Sequence, residues 1–233
     1  MTRYLCYNKI MIYIIRHGKT ELNQAGALQG RSDHPLNEEG IAQAKEAGAR
    51  FRVAGITFDR IYSSPLIRAV QTAELAVGDG TAEILIDDRL IEMDYGPYEG
   101  MTLENPAPEV LEFFRDFVHN PAPDGMEQLS SVTGRLGEFL EELRAELLRA
   151  EAASRGSHAE RDVSIAREAN ILISTHAIAM KGALEYLTPA SGGSYWSKYI
   201  GNCAVYVTEL TEDGFTVPVE WTPGKGTPPE VRP

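Results

Sequence analysis

The chain has 233 residues, 43% of them hydrophobic, which is enough to bury the core of one domain. Its formal net charge of −12 argues against nucleic acid and anionic membranes as partners, because long-range repulsion opposes both. The longest apolar run, Ile10–Ile15, is too short to span a membrane. We therefore expect a single cytoplasmic domain over residues 1–233, with a core at about 11–221 and a flexible tail at 223–233.

The first predicted strand, Ile10–Ile15, leads directly into Arg16-His17-Gly18. The strand is rich in β-branched and aromatic residues, which is typical of a buried strand. In open α/β sheets, ligands bind at the carboxyl edge of the strands. Gly18 allows the backbone to approach a ligand closely, and Lys19-Thr20 after it add cationic and hydroxyl groups that suit an anion. The motif predicts a phosphate site, although an ordinary strand end with a solvated Arg and His fits the tripeptide equally well.

Strand and helix patterns then alternate along the chain. After a loop rich in Gly and Pro, Asn37 is expected to cap a helix that stops at Gly55. A second strand is expected at Phe58–Ser63, and a helix from Ser64-Pro65, because proline is favourable in the first helical turn. The remaining predicted elements are a strand at Ile84–Ile86, a helix at Pro106–His119, an amphipathic helix at Leu129–Leu147, a strand at Ile171–Ser174, a helix at Ala177–Leu187 and a hairpin of Cys203–Leu210 with Phe215–Trp221.

Two features carry no prediction of chemistry. Residues 149–169 are polar and weakly periodic, and they predict a helix extension that continues into a mobile loop. Cys6 and Cys203 lie far apart, with no CxxC pair and no histidine at metal-ligand spacing. We expect neither a disulfide framework nor a zinc site.

Several predicted strands end in polar side chains, which are Arg16-His17 after the first, Ser63-Ser64 with Arg68 after the second and Thr175-His176 after the fourth. Strand–helix–strand units give parallel strands, so these ends share one edge of the sheet. We expect both histidines and both arginines to meet in one pocket. Such a group suits phosphoryl transfer, because arginines bind phosphate oxygens and a neutral imidazole can attack phosphorus. Nearby arginines also lower the pKa of a histidine and keep it neutral.

A set of short segments occurs in a fixed order along about residues 11–210. They are Arg16-His17-Gly18-Lys19-Thr20 with Asn23, Gln29-Gly30, Pro35-Leu36-Asn37 with Gly40, the run from Ser63 to Glu74, Glu92 with Tyr98-Glu99-Gly100, and Ser174-Thr175-His176. In these segments the chain resembles the histidine phosphatase superfamily, which includes cofactor-dependent phosphoglycerate mutases and acid phosphatases. The resemblance implies an α/β fold, a three-layer α/β/α sandwich around a largely parallel sheet.

The resemblance also implies roles for individual residues. They are a phosphorylated nucleophile for His17, contacts to the phosphoryl group for Arg16, Arg68, His176 and Asn23, and the general acid that later activates water for Glu92. Other interpretations stay open. Arg68 also fits a helix-surface ion pair, and Asn23 also fits a turn. The acids that compete with Glu92 in comparable loops are Asp94, Glu99 and Glu127.

The chain departs from the family pattern in two places, of which the first affects the local turn and the second the expected substrate. Ala177-Ile178-Ala179 follow the second histidine, where glycines are common in the family. Between Gly100 and Gly125, Arg115 is the one cation against five acids, whereas mutases of the family place several basic residues there. This composition favours a hydrolase whose substrate has an uncharged or hydrophobic leaving group.

The sequence therefore predicts a metal-independent phosphatase that hydrolyses small phosphate monoesters through a phosphohistidine and needs no cofactor. Its expected partner is a small-molecule phosphate ester, and its oligomeric state stays open. No C-x5-R, D-x-D or Walker motif supports another phosphotransfer mechanism. Two alternatives remain, a phosphoglycerate mutase-type phosphotransferase and a non-catalytic protein that binds a phosphorylated ligand.

Overall fold

A computed structural model describes residues 7–78, 83–156 and 167–222 of the chain. Its strands are β1 (Tyr7–Arg16), β2 (Arg60–Ser63), β3 (Ile84–Ile86), β4 (Arg167–Thr175), β5 (Val205–Thr211), β6 (Gly214–Phe215) and β7 (Val219–Glu220). Its α-helices are α1 (Glu21–Gln24), α2 (Glu38–Val53), α3 (Ile67–Val77), α4 (Pro108–Arg115), α5 (Leu129–Gly156) and α6 (Ala177–Leu187). The expected tail at 223–233 lies outside the described residues. Of the segment 149–169, the described parts are the end of α5, as far as Gly156, and the start of β4, from Arg167.

The strands form one mixed sheet in the order β3-β2-β4-β1-β5-β6, and β7 also pairs with β5. The first four strands of this order run parallel, while β5 is antiparallel to β1. Arg16 lies beside Thr175, and Ser63 lies beside Ser174. The strand ends that carry the predicted site therefore meet at one edge of the sheet.

Both faces of the sheet are covered, as the side chains of β1 demonstrate. Ile10, Ile12 and Ile14 belong to a core with the buried side chains of α5 and α6. On the other face, Met11, Tyr13 and Ile15 pack with residues of α2 and α3. Each fully buried aliphatic side chain contributes about 1.5–3 kcal/mol to stability. The predicted three-layer α/β/α sandwich is confirmed.

The capping prediction at Asn37 is confirmed, because its side chain accepts a hydrogen bond from Gly40 N at 2.9 Å at the start of α2. The predicted helix start at Ser64-Pro65 is wrong, since α3 begins at Ile67. Ser64 instead extends the pairing of β2 with β4 by one hydrogen bond, from its backbone N–H to Ser174 O at 3.0 Å. Leu66 is still extended, with φ −71° and ψ 132°.

Other element boundaries differ for local reasons. Helix α4 ends at Arg115, short of His119, because the Asp116 side chain accepts from the backbone N–H groups of Val118 and His119 and forms a turn. Strands β1 and β4 are longer than expected, because their pairing continues back to Tyr7 and Arg167. The second arm of the predicted hairpin is divided into β6 and β7, both antiparallel to β5.

Gly18 and Gly40 pack backbone against backbone where β1 ends beside α2. A Cβ atom at Gly18 would lie 2.5 Å from Gly40 O, and one at Gly40 would overlap the backbone oxygen of Lys19. The absence of side chains at both positions therefore lets the segment after His17 lie directly on the first turn of α2.

We predict that Gly40→Ala destabilises the protein by about 1–3 kcal/mol, because the new methyl group must displace the backbone at Lys19. Urea unfolding followed by circular dichroism measures the change. Gly134→Ala is the matched control, since a Cβ there meets nothing within 4 Å and alanine is favourable inside a helix by about 1 kcal/mol. Equal effects of the two substitutions would contradict the packing argument.

Candidate active site

A cavity of about 260 Å³ opens at the edge of the sheet where β1 ends. Besides the tyrosines Tyr95 and Tyr199, its polar lining consists of six residues with charged, imidazole or amide side chains, which are Arg16, His17, Asn23, Gln29, Glu92 and Lys181. Apolar residues form the other wall, among them Leu103, Phe114, Phe117, Ile178 and Ile200. The cavity thus combines polar and apolar side chains. We call the part beside Arg16 and His17, at the end of β1, its polar end.

His17 is held in a single tautomer at the polar end. Its Nδ1 lies 2.7 Å from Gly18 O, and because a carbonyl oxygen only accepts, Nδ1 carries the proton. Nε2 therefore holds a lone pair. Burial lowers the pKa of His17 well below 6.5, and the charges of Arg16 and Arg68 lower it further. The imidazole is neutral near pH 7 and suited to nucleophilic attack.

Two buried donors at the same cavity have no acceptor among the described residues, Arg16 Nε and Gln29 Nε2. Arg16 uses another nitrogen, Nη1, to donate to Ile200 O. An unpaired buried donor costs about 1–3 kcal/mol. Both residues line the cavity, and an anion is the kind of ligand that such donors need.

The orientation of Gln29 follows from its neighbours. Its Oε1 accepts from Thr20 Oγ1 at 2.6 Å and from Asn23 Nδ2 at 3.4 Å. Asn23 is oriented in turn, because its Oδ1 accepts from the Thr20 N–H and from Asn202 Nδ2 at 3.3 Å. These bonds fix the oxygen of the Gln29 amide towards Thr20 and Asn23, so its nitrogen, Nε2, points away from both residues.

Arg68 and His176 form a second, fully buried pair next to His17. The two histidine rings are 5.1 Å apart between centroids. Arg68 Nε donates to His176 Nδ1 at 3.2 Å, so the proton of the neutral ring is on Nε2, which donates to Ser64 Oγ at 2.7 Å. Burial lowers the pKa of His176 well below 6.5, with a further contribution from Arg68. Neither residue of the pair is part of the cavity lining.

The carboxylate of Glu92 lies at the N-terminus of α6. Its Oε1 accepts from the N–H groups of Met93 at 2.8 Å and Ala179 at 2.9 Å, and its Oε2 accepts from Ile178 at 3.1 Å. The N-terminal end of a helix favours a negative charge. The three competing acids bind elsewhere, Asp94 to Arg31, Glu99 to Gly30 and Ser32, and Glu127 to Arg135.

Of the six charged, imidazole or amide side chains of the lining, four are site residues predicted from the sequence, whereas Gln29 and Lys181 are not. Gln29 stands in a segment that carried the resemblance, but its orphaned donor is visible only in three dimensions. Lys181 was overlooked because it follows the motif histidine by five positions. Its spacing from Ala177 and Ile178 is the signal that could have identified it, since residues three or four apart share a helix face.

A model of the histidine phosphatase superfamily (branch 1) matches residues 12–221. The chain belongs to this superfamily. Phosphoserine phosphatase 1 from Hydrogenobacter thermophilus is 36% identical over 138 residues, which are 58% of this chain and 64% of that protein. The match thus spans less than two thirds of that relative.

Other relatives match over more of the chain. A 2,3-bisphosphoglycerate-dependent phosphoglycerate mutase from Parvibaculum lavamentivorans is 27% identical over 89% of this chain and 93% of its own length. The crystal structure of the alpha-ribazole phosphatase from Shigella flexneri superposes with a TM-score of 0.72 at 23% identity, covering 94% of this chain and 99% of that one. The last comparison supports the fold alone.

The described residues contain neither a membrane-spanning helix nor a cluster of metal ligands. None of the helices in residues 7–78, 83–156 and 167–222 is long and apolar enough to cross a membrane. In the same ranges, no three His, Cys, Asp or Glu side chains cluster in a way that could hold a metal ion.

We predict that the free energy of unfolding falls as the pH is lowered below 6.5. The folded protein keeps His17 and His176 neutral, whereas the unfolded chain binds a proton at each, so protons favour unfolding. The loss approaches about 1.4 kcal/mol per pH unit for each histidine. Urea titrations at pH 7.5, 6.5 and 5.5 measure it.

A smaller slope in His176→Gln tests the assignment. His34→Gln, at an exposed histidine, is the control and should retain the slope of the unaltered protein. A wild-type stability that does not change between pH 6.5 and 5.5 would contradict the neutral, buried state of the two rings.

Proposed function

We propose that this protein is a phosphatase that hydrolyses phosphate monoesters through a phosphohistidine at His17. The observation that carries the proposal is that His17, whose Nε2 holds a lone pair, lines the same cavity as Arg16 and Gln29, each of which has an unpaired donor. A phosphoryl group fits this end of the cavity, because its oxygens accept from the donors while its phosphorus faces the nucleophile.

The remaining polar groups would stabilise the charge that develops on the phosphoryl oxygens. Arg68 does not line the open cavity, but it has five N–H groups and uses three, so two would remain for an oxygen seated beside His17. His176 would donate its Nε2–H to a phosphoryl oxygen instead of to Ser64 Oγ. The hydrogen bond from Arg68 to Nδ1 keeps the proton on Nε2. Asn23 would add a contact through its amide nitrogen. Such preorganised donors are worth most in a buried site.

Glu92 is our proposed acid and base. The cycle begins with a proton on Glu92. In the first step His17 Nε2 forms a bond to phosphorus, the ester P–O bond breaks, and Glu92 gives that proton to the departing oxygen, which leaves a carboxylate at the N-terminus of α6. In the second step Glu92 takes a proton from water, the water oxygen binds phosphorus, and the bond to His17 breaks. Arginine charges and the helix N-terminus stabilise these steps, so we propose that hydrolysis needs no metal and no organic cofactor.

Hydrolysis is favoured over mutase activity by the charges around the cavity. Arg115, the one cation between Gly100 and Gly125, pairs with Glu112 at the protein surface. Arg16 and Lys181 are the two lysines or arginines that line the cavity. A bisphosphorylated primer needs more cations than these. A purely ligand-binding role is less favoured, because binding does not need a neutral nucleophile and a carboxylate in one cavity.

The sharpest prediction concerns the covalent intermediate. Acid-quenched mapping with phosphate-labelled substrate should find the label on His17, with chelator present throughout. His17→Ala should lose essentially all turnover of an aryl phosphate. His176→Ala should lose a factor on the order of 10² to 10³, as when one transition-state donor is removed, and should still be labelled on His17.

Glu92→Gln should accumulate the labelled intermediate, because an aryl phosphate leaves without a proton whereas water still needs a base. Glu127→Gln is the control, since Glu127 pairs with Arg135 and does not line the cavity. A label on another residue, or turnover that stops with chelator and returns with a divalent ion, would overturn the mechanism. No turnover across a broad substrate panel would favour the ligand-binding alternative.

We also predict that phosphatase turnover exceeds mutase turnover. In a coupled assay with 3-phosphoglycerate and a bisphosphoglycerate primer, isomerisation should be slower than release of inorganic phosphate, because the cavity has few cations for a second phosphate. Faster isomerisation would replace the phosphatase proposal with the mutase alternative.

A further inference from the structure

Lys181 is a buried cation that lines the cavity without a carboxylate partner. Its side chain donates from Nζ to Trp196 O at 2.7 Å and lies over the ring of Phe117, 5.1 Å from the centroid. The residue is only 9% exposed. In the part of the chain that the structure describes, no Asp or Glu forms an ion pair with it. Two of its three N–H groups are therefore left for a ligand.

The position of Lys181 relative to the reacting end follows from α6. Ile178, whose N–H binds Glu92, precedes Lys181 by three residues, and both line the cavity. Three residues advance about 4.5 Å along a helix axis. Lys181 thus lines the cavity about one turn of α6 beyond the residue that binds Glu92. With a phosphoryl group at His17, the alcohol part of an ester that extends past Glu92 along α6 would approach Lys181.

A buried ammonium is costly unless it is paired. Burial lowers the pKa of Lys181 to about 8, with a further decrease from Arg16 and an opposing increase from Glu92. The side chain still carries a proton at neutral pH in most molecules. A hydrogen bond to one carbonyl and contact with one ring compensate only part of the cost, whereas an anion in the cavity would compensate more of it.

We propose that Lys181 binds a carboxylate on the alcohol part of the substrate. The enzyme then prefers phosphate monoesters that carry a carboxylate a few bonds from the ester oxygen. This inference rests on the proposed phosphatase function. A carboxylate fits better than a second phosphate, because a single lysine matches a single negative charge and the surrounding wall is apolar.

The inference changes the substrate expected from sequence. The segment between Gly100 and Gly125 has few cations and favoured an uncharged leaving group. The cation is instead Lys181 of α6, which lies outside that segment. The apolar wall, which includes Phe114 and Phe117, would contact the carbon skeleton on either side of the carboxylate.

The test uses substrates that differ in the carboxylate. One pair is O-phospho-L-serine and O-phosphoethanolamine, and the other is 3-phosphoglycerate and glycerol 3-phosphate. We expect the unaltered enzyme to prefer the carboxylate member of at least one pair by tenfold or more in kcat/KM. In Lys181→Met, which keeps the length of the stem and its contact with Phe117, this preference should fall at least tenfold, mainly through KM.

Lys198→Met is the matched control. Lys198 also lies over an aromatic ring, that of Tyr206 at 4.8 Å, but does not line the cavity. It should retain the preference. Thermal melts of both variants report any loss of stability, which would lower kcat/KM for both members of a pair equally and leave their ratio unchanged.

The outcomes separate the two proposals. Normal turnover of an aryl phosphate with no carboxylate preference, or an equal loss on both members in Lys181→Met, overturns the role of Lys181 and leaves the phosphatase proposal intact. A preference for 2,3-bisphosphoglycerate over both carboxylate monophosphates would assign Lys181 to a second phosphate instead. Absence of aryl phosphate turnover and of labelled His17 contradicts the phosphatase function itself.

Discussion

The site depends on the fully buried guanidinium of Arg68. It donates to His176 and to the backbone oxygens of Gly30 and Ser32, and so joins α3 to the end of β4 and to the loop that carries Gln29. Its charge also lowers the pKa values of both histidines. One side chain thus fixes a proton position, holds a loop and adds to the effect of burial that keeps His17 neutral. A lysine could not replace it, because these bonds use three nitrogens of a planar fork.

Much of the arrangement was predictable because it follows from strand order. Polar residues after apolar strands indicate a ligand edge once the strands are parallel, and the pairing of Arg16 with Thr175 places the two motif histidines next to each other. Helix starts were harder to predict. Ser64 followed by proline is a common helix start, yet its N–H belongs to the sheet and its hydroxyl to His176. Tertiary bonds there override local propensity.

The direction of a side chain was not predictable. Whether Arg68 faces solvent or the core depends on the packing of α3 on the sheet, which local sequence does not encode. Gln29 and Lys181 became functional candidates only when their partners were known. A glutamine whose oxygen is bonded and whose nitrogen is not, or a lysine without a carboxylate, is a property of three-dimensional surroundings. Residue type alone gave no reason to select either.

His17 follows directly on β1, a central strand of the sheet. β1 is hydrogen-bonded on both sides, by β4 and β5, and its side chains belong to both core layers. Its amides can exchange with solvent only when the sheet opens, and the most protected amides report global unfolding. The imidazole of His17 therefore follows directly on a strand that both core layers enclose, and we expect its placement to persist until the whole fold melts.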